Sequence, residues 1–311
     1  MGYVVIRKIC NGGTSMKEDV NGSIYKVQFM MAKGVFEDLE EYGIDYAIVK
    51  GHPDAIYKSG TSGNRTSSNI DILISRQNIN KVAEIMQLNG FECEYPLERI
   101  DRVMVVANSH RLPSYQKNVG IVRTKIDIVF DMFWGEYPGE RINLSQILRE
   151  TIEIEVFGCR VKILNPLMRM VHLVLYRYME TNSLYYLMGH ATIDRVLFEE
   201  VYSLYKRYAD VISKEALYAI SCQYHITPYV FYILYYTQKI VNDASLEKFM
   251  DVFHTEEGES LLECYGLTNR ERKVWRIPFD QRLDKDVSKW ICKELGADDI
   301  EKLERNRRIY G

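Results

Sequence analysis

Two short apolar runs, Tyr46-Ala-Ile-Val-Lys-Gly51 and Asn69-Ile-Asp-Ile-Leu-Ile74, decide the fold of the N-terminal half. Both are typical of strands, and the Gly/Ser/Thr/Asn-rich segment at 59–68 between them is typical of a loop. Side chains alternate along a strand with a period of two, so Asn69 and Asp71 project from the same face. Two oxygen-bearing side chains at a strand start, facing a flexible loop, can hold Mg²⁺ against a triphosphate.

A further carboxylate is expected from the strand predicted at 120–134, where Asp127 and Asp131 share a face. Two metal ions that act on a triphosphate need about three carboxylates, two of them close together and one on a neighbouring strand. The two aspartates lie about 13 Å apart, at ~3.3 Å per residue along a strand. Only one of them can therefore join Asp71 at a metal site.

The composition indicates an ordinary folded protein. Of its 311 residues, 47% are hydrophobic and 27% are charged, and the length suffices for two domains. The formal net charge of −3 and the lack of a basic stripe argue against a nucleic-acid partner. Six cysteines without a Cys-x-x-Cys pair are typical of reduced thiols. Without a signal pattern or a long apolar run, we expect a cytoplasmic protein with no membrane partner.

The order of predicted elements indicates an α+β (mixed α/β) sheet domain followed by an all-helical domain. Helices are predicted over 25–42 and up to Gly90, and a hairpin over 151–164. The other strands are predicted at 44–49, 69–74, 91–95, 102–107 and 120–134.

The domain boundary is predicted at Asn165-Pro166, where Asn165 suits an N-cap and Pro166 suits the first helical position. We predict an N-terminal extension at 1–24, the sheet domain at 25–164, and the helical domain with its C-terminal tail at 165–311.

Three motifs follow one another in a recognisable order: Lys50-Gly51, Arg65-Thr-Ser-Ser-Asn-Ile-Asp-Ile-Leu-Ile74 and Asp131-Met-Phe-Trp134. They resemble the bacterial nucleotidyltransferase-like family of the DNA polymerase β superfamily. That family shows a Lys-Gly after a strand, an Arg four residues before an Asp-x-Asp strand, and a later Asp-Leu-His-Trp. The similarity continues through Leu164-Asn-Pro166 and His172 to Asp194, and so covers roughly residues 40–200.

The resemblance implies a role for each matching residue. Lys50 and Gly51 would border the phosphate pocket, and Arg65 would face the nucleotide phosphates or brace the loop. Asp71 and Asp131 would bind metal, with Asn69 at the first ligand position. Asp127 is the second choice to Asp131, because it lacks the trailing Trp.

The resemblance also implies a reaction: Mg²⁺-dependent transfer of a nucleoside monophosphate from an NTP, most simply ATP, to a small-molecule or protein acceptor. Two residues depart from the family pattern, because Asn69 replaces the first aspartate and Phe133 replaces the histidine. An amide oxygen can ligate Mg²⁺ but removes one of about three negative charges that balance the metals. The alternative is therefore a catalytically degenerate fold that acts as a binding or accessory module.

Simpler interpretations exist for several of these residues. Asn69 can be a turn residue and Asp71 a surface carboxylate. We expect His172 to be a buried histidine between the two domains. We expect the tyrosines of the C-terminal half to pack the helical core, although they can also form an aromatic cradle or a surface for a protein partner.

Overall fold

The computed structural model describes residues 15–50, 69–95, 99–135, 137–189 and 192–310. Gly51, Arg65 and the loop at 59–68 lie outside those ranges, so their predicted roles stay predictions. Among the helices in the described ranges, none has the length and apolarity that crossing a membrane requires.

A seven-stranded mixed sheet forms the centre of the N-terminal half. Its strands are β1 (Tyr46–Lys50), β2 (Asn69–Ile74), β3 (Glu92–Cys93), β4 (Tyr115–Val119), β5 (Val122–Val129), β6 (Ile152–Val156) and β7 (Cys159–Ile163). Their order in the sheet is β3-β4-β5-β2-β1-β7-β6. Strand β2 is parallel to β5 and antiparallel to β1, and β1 is parallel to β7.

The described residues of this half form four helices: α1 (Ser15–Glu41), α2 (Ile79–Leu88), α3 (Arg99–Asn108) and α4 (Leu144–Ile147). The C-terminal half begins with α5 (Pro166–Asn182), α6 (Leu184–Gly189), α7 (Arg195–Arg207), α8 (Lys214–Gln223) and α9 (Thr227–Val241). It continues with α10 (Ala244–Met250), α11 (Glu256–Leu262), α12 (Phe279–Arg282), α13 (Ser288–Ile291) and α14 (Ala297–Tyr310). Short 3-10 turns cover Arg76–Asn78, Leu148–Glu150 and Asp251–Phe253.

The two faces of the central strands lie in different cores. One core holds the even-numbered side chains of β2 and β5 together with α1 and α2, and these isoleucines are at most 1% exposed: Ile70, Ile72, Ile74, Ile126 and Ile128. The odd-numbered Leu73 and Val129 pack in the other core, with the C-terminal helices. Because the period is two, Asn69, Asp71 and Asp127 must also point towards those helices.

A β-bulge near the end of β1 brings Lys50 to the same face. Ile48 pairs with Ile72, but Lys50 pairs with Asp71, so β1 carries one extra residue at this point. In a regular strand without the bulge, Lys50 would lie opposite Ile70, and its side chain would point towards the opposite core. The bulge therefore places a lysine beside Asp71.

The predicted mixed fold is confirmed, with three differences in detail. The run predicted as a strand at 102–107 lies in helix α3, because only Val105 of its apolar residues is fully buried while Val103 and Met104 are exposed. The strand predicted at 120–134 ends at Val129. The helical half also contains a two-stranded ribbon, β8 (Cys264–Tyr265) with β9 (Lys273–Val274), so it is not all helical.

Two predicted boundaries have different outcomes. The first helix begins at Ser15, well before the predicted start, whereas the predicted start of α5 is confirmed. The Asn165 side chain accepts a hydrogen bond from the Met168 amide at 2.9 Å, and Pro166 occupies the first turn. The three-domain division itself stays a prediction.

We predict that Asn165→Ala lowers the free energy of unfolding by about 1 kcal/mol, because it removes the N-cap of the helix that lies against the polar face of the sheet. Denaturant unfolding would measure this change. Asn143→Ala is the matched control, since Asn143 precedes α4 without a side-chain capping bond. Equal effects of the two substitutions would contradict the assigned capping role.

Candidate functional site

A polar cavity separates the sheet from α5. Its volume is about 1020 Å³, part of it open to solvent. The sheet side contributes mainly charged and polar residues: Lys50, Asn69, Asp71, Arg111, Ser114, Lys125, Asp127 and Asp131. The helical side contributes mainly His172, Tyr176, Met179, Glu180 and Tyr186.

Asp71 and Asp127 are neighbours across the β2–β5 pairing, in which Asp71 lies directly opposite Asp127. Paired residues on adjacent strands have their side chains on one face and about 5 Å apart. Both carboxylates are buried, at 6% and 4% exposure. The structure therefore brings together two acidic groups that the sequence places far apart.

Asp71 is the carboxylate with unfilled hydrogen-bonding capacity. Its Oδ1 atom is buried and has no hydrogen-bond partner among the described residues. Its Oδ2 atom lies 3.9 Å from the Lys50 ammonium. Burial raises the pKa of Asp71 to about 6, against the lowering effect of Lys50 and with a further rise from Asp127. The surrounding protein groups thus stabilise the ionised form of the Asp71 carboxylate only weakly.

Asp127 is fully engaged by protein donors. Its Oδ2 atom accepts hydrogen bonds from Asn69 Nδ2 at 3.1 Å and from Arg111 at 3.2 Å. Its Oδ1 atom accepts from the Ser114 hydroxyl. Asn69 therefore presents its amide nitrogen to Asp127 and supports that carboxylate.

Asp131 lies four residues beyond Asp127, after β5 has ended. Its Oδ2 atom accepts from Arg76 at 3.2 Å and from Arg141, and its Oδ1 atom accepts from the Phe133 amide at 3.0 Å. It lines the cavity but is not opposite Asp71. The geometry therefore favours Asp127 over Asp131 as the partner of Asp71, while metal ligation by either stays a prediction.

One face of α5 forms the opposite wall. His172, Tyr176 and Glu180 recur at a spacing of four residues, which aligns them along the helix. The Lys50 ammonium lies 3.5 Å from the Tyr176 hydroxyl. His172 stacks on Tyr176 with ring centroids 6.0 Å apart. Burial and nearby arginines lower the pKa of His172 to about 3, so its imidazole is neutral.

A buried ion triad fixes this wall. Arg177, 6% exposed, donates to Glu180 on its own helix and to Glu200 on α7. The guanidinium thus connects the cavity carboxylate Glu180 to the next helix. Fully paired buried charges of this kind hold side chains in one arrangement because breaking either pair exposes an uncompensated charge.

The residues fit one magnesium ion better than two. Mg²⁺ takes about six oxygen ligands and in nucleotide sites commonly uses one or two carboxylates together with substrate phosphates. The Oδ1 atom of Asp71, without a partner among the described residues, could serve as one such ligand, whereas Asp127 already accepts three hydrogen bonds. The described part of the chain contains no group of three or more His, Cys, Asp or Glu residues arranged to hold a metal ion.

The sequence was compared with known families and structures. A family model described as "Uncharacterised nucleotidyltransferase" matches residues 25–242. The chain belongs to this family. The predicted resemblance is confirmed at this level, while the bacterial and DNA polymerase β attributions stay predictions. The family match covers the whole seven-stranded sheet and both walls of the polar cavity.

A solved structure shows a remote likeness. It is a crystal structure of an antigenic nucleotidyltransferase-like protein from Paracoccidioides brasiliensis, 16% identical, with a TM-score of 0.32. The match covers 62% of this chain and 91% of that chain. At this score it says nothing about the chemistry of the present cavity. Among curated proteins, none matches this nucleotidyltransferase family member.

The structure brings five of the predicted site residues to one cavity: Lys50, Asn69, Asp71, Asp127 and Asp131. The sequence did not indicate Arg111, Ser114 or Glu180 as site residues. Arg111 and Ser114 donate hydrogen bonds to Asp127, and the charge of Glu180 raises the pKa of Asp71. Arg111 and Ser114 both lie just before the start of β4, and no sequence motif marks them. Glu180 carried a weak signal, because it follows His172 and Tyr176 at helical spacing.

We predict that Asp71→Asn stabilises the protein by about 1 to 3 kcal/mol at pH 8, because one pKa unit corresponds to about 1.4 kcal/mol. The folded pKa of Asp71, about 6, lies above its ordinary value of 3.8, so the charged form opposes folding. That penalty is complete above pH 6 and disappears as the pH falls towards 4. Denaturant unfolding of both proteins between pH 4.5 and 8 would measure the difference.

Asp127→Asn is the control for this experiment. It removes the charge that Arg111 neutralises, so it is expected to lower stability at pH 8. A loss of stability in both variants would mean that Asp71 is well compensated in the folded protein and would contradict the assignment.

Proposed function

We propose that this protein transfers a nucleoside monophosphate from a nucleoside triphosphate, most simply ATP, to a hydroxyl group of a small-molecule or protein acceptor. The supporting observation is the buried Asp71 Oδ1 atom without a hydrogen-bond partner among the described residues, facing Asp127 in a cavity of a nucleotidyltransferase family member. A bound Mg²⁺ would neutralise charge on the phosphates and on the departing pyrophosphate.

The reaction needs no covalent intermediate on the protein. The acceptor oxygen forms a bond to the α-phosphorus, and the bond from that phosphorus to the bridging oxygen of pyrophosphate breaks. The acceptor hydroxyl proton passes to water, and pyrophosphate leaves with the bonding electron pair. The task of the protein is therefore to position two substrates and to stabilise the charge that moves onto the leaving group.

Different residues of the cavity would carry out different parts of this task. Lys50, Arg111 and Lys125 lie on the sheet side, where they can contact the anionic phosphates. Each already lies near a carboxylate: Asp71, Asp127 and Glu94, respectively. Because these local charges balance, the triphosphate needs an accompanying cation, and we expect nucleotide and Mg²⁺ to bind together. Asp71 and Asp127 would hold the ion, with Asn69 supporting Asp127.

A binding or accessory module without catalysis is the second candidate. The engagement of Asp127 by Asn69, Arg111 and Ser114 favours it, because a metal ion at Asp127 must compete with three donors. Under this alternative the cavity binds a nucleotide but releases no pyrophosphate with any acceptor. Asn69→Asp would replace one of those donors with a carboxylate and restore the family pattern.

Calorimetric titration with ATP, GTP, CTP and UTP, each with Mg²⁺ and with EDTA, tests the proposal. We predict metal-dependent binding of at least one nucleotide, lost in Asp71→Ala. Lys50→Met should weaken binding about tenfold, the equivalent of one charge-assisted hydrogen bond of ~1.4 kcal/mol. Lys81→Met is the matched control, since Lys81 pairs with Glu84 on α2 away from the cavity.

Binding of equal strength with the metal chelated would contradict the proposed metal role. Pyrophosphate release during the same titrations distinguishes the two candidates. Nucleotide binding by both the wild type and Asn69→Asp, with release only in the variant, would favour the non-catalytic module.

A further inference from the structure

A second cavity adjoins the candidate site on the side of the C-terminal helix. It encloses about 560 Å³, part of it open to solvent, between α5, α6 and α14. His110, Met179 and Tyr186 line both cavities, so the two spaces are adjacent. A ligand in the second cavity would therefore lie beside a nucleotide in the first.

The outer wall of this cavity comes from the segment that follows the family match. Leu267, Glu271, Asp299 and Leu303 line it, and all lie beyond the matched residues 25–242. Two ion pairs attach α14 to the rest of the wall: Lys302 pairs with Glu271, and Lys273 pairs with Asp299 at 2.7 Å. The cavity thus combines residues of the family region with a wall from the C-terminal segment, outside the family match.

Trp134 supplies a hydrogen-bond donor that the protein leaves unused. Its side chain is 4% exposed and lines the cavity, and its indole Nε1 is buried without a partner among the described residues. An unsatisfied buried donor carries a free-energy cost in the folded protein. A ligand oxygen at this position would remove that cost.

The two cavities differ in the number of basic side chains that line them. Lys50, Arg111 and Lys125 line the first, whereas the described lining residues of the second include one lysine, Lys302, which pairs with Glu271. Its other walls are largely aromatic or apolar, from Trp134, Tyr185 and Leu184. Such walls favour an uncharged ligand with a flat ring.

We propose that the second cavity binds the acceptor of the nucleotidyl transfer, and that this acceptor is an uncharged, planar-ring compound bearing a hydroxyl group. An oxygen of the acceptor receives a hydrogen bond from Trp134 Nε1, and the C-terminal segment determines which acceptors fit. This inference rests on the function proposed above, because it takes the first cavity as the nucleotide site.

Binding of one-ring probes, followed through the tryptophan indole signals in ¹H–¹⁵N spectra of the full chain, tests the proposal. The chain has three tryptophans, Trp134, Trp275 and Trp290, so three indole signals are expected and single Trp→Phe variants assign them. The probes are 4-hydroxybenzyl alcohol, 4-hydroxybenzoate and tyramine, which are neutral, anionic and cationic. We expect the neutral probe to shift the Trp134 signal and to bind at least tenfold more tightly than the anion.

Asn306→Phe would fill the cavity from α14, where Asn306 is partly exposed and its replacement leaves the core intact. It should weaken the neutral probe at least tenfold, and Asn306→Ala should not. Binding of Mg²⁺ with ATP should be unchanged in both variants, which also shows that they are folded. The Trp290 signal, from a partly exposed side chain, serves as the internal reference.

The outcomes separate the two proposals. If Mg²⁺ with ATP binds but the neutral probe leaves the Trp134 signal unmoved, or binds equally well to Asn306→Phe, the acceptor cavity is wrong and the proposed function stands. Tighter binding of the anion would also overturn the assignment. If no nucleotide binds, both the proposed function and the acceptor role of the second cavity are wrong, even if the neutral probe binds in that cavity.

Discussion

The parallel pairing of β2 with β5 is the constraint on which the rest of the structure depends. Buried isoleucines at the even positions of both strands fix that face against α1 and α2. A shift of one residue in either strand would turn its carboxylate, Asp71 or Asp127, into that apolar core at a cost of several kcal/mol, so the register is strongly specified. The same isoleucines that stabilise the sheet therefore place the two carboxylates side by side on the face that is directed towards α5.

Burial of the two carboxylates has different consequences because their partners differ. Asp127 receives three donors and is part of a structural network, whereas Asp71 has one distant ammonium and one oxygen without a partner among the described residues. A buried charge that is only partly compensated lowers stability, and such groups cluster at functional sites. The neutral His172 and the tyrosines of α5 add a weakly polar wall, which strengthens electrostatic interactions in the cavity.

The sequence predicted the parts of this arrangement that depend on local pattern. Strand β2, the common face of Asn69 and Asp71, and the N-cap of α5 all follow from spacing and residue type. The bulge at Lys50 and the position of Asp127 directly opposite Asp71 did not, because strand register is set by contacts between distant segments. Helix α3 was mistaken for a strand because its valines favour strands locally, while tertiary packing buries only Val105. The tyrosines divide: Tyr178 and Tyr232 pack the core, and Tyr176 and Tyr186 line the cavity.

The central claim is that Asp71, paired with Asp127, is the carboxylate that accepts a divalent cation together with a nucleotide. Electron paramagnetic resonance of Mn²⁺ in the presence of a non-hydrolysable ATP analogue tests it most directly. The account predicts one bound Mn²⁺ per chain in the wild type and in Asp131→Asn, and its loss in Asp71→Asn. Retention of the ion in Asp71→Asn, with loss in Asp131→Asn, would contradict the account and place the metal at the other end of the cavity.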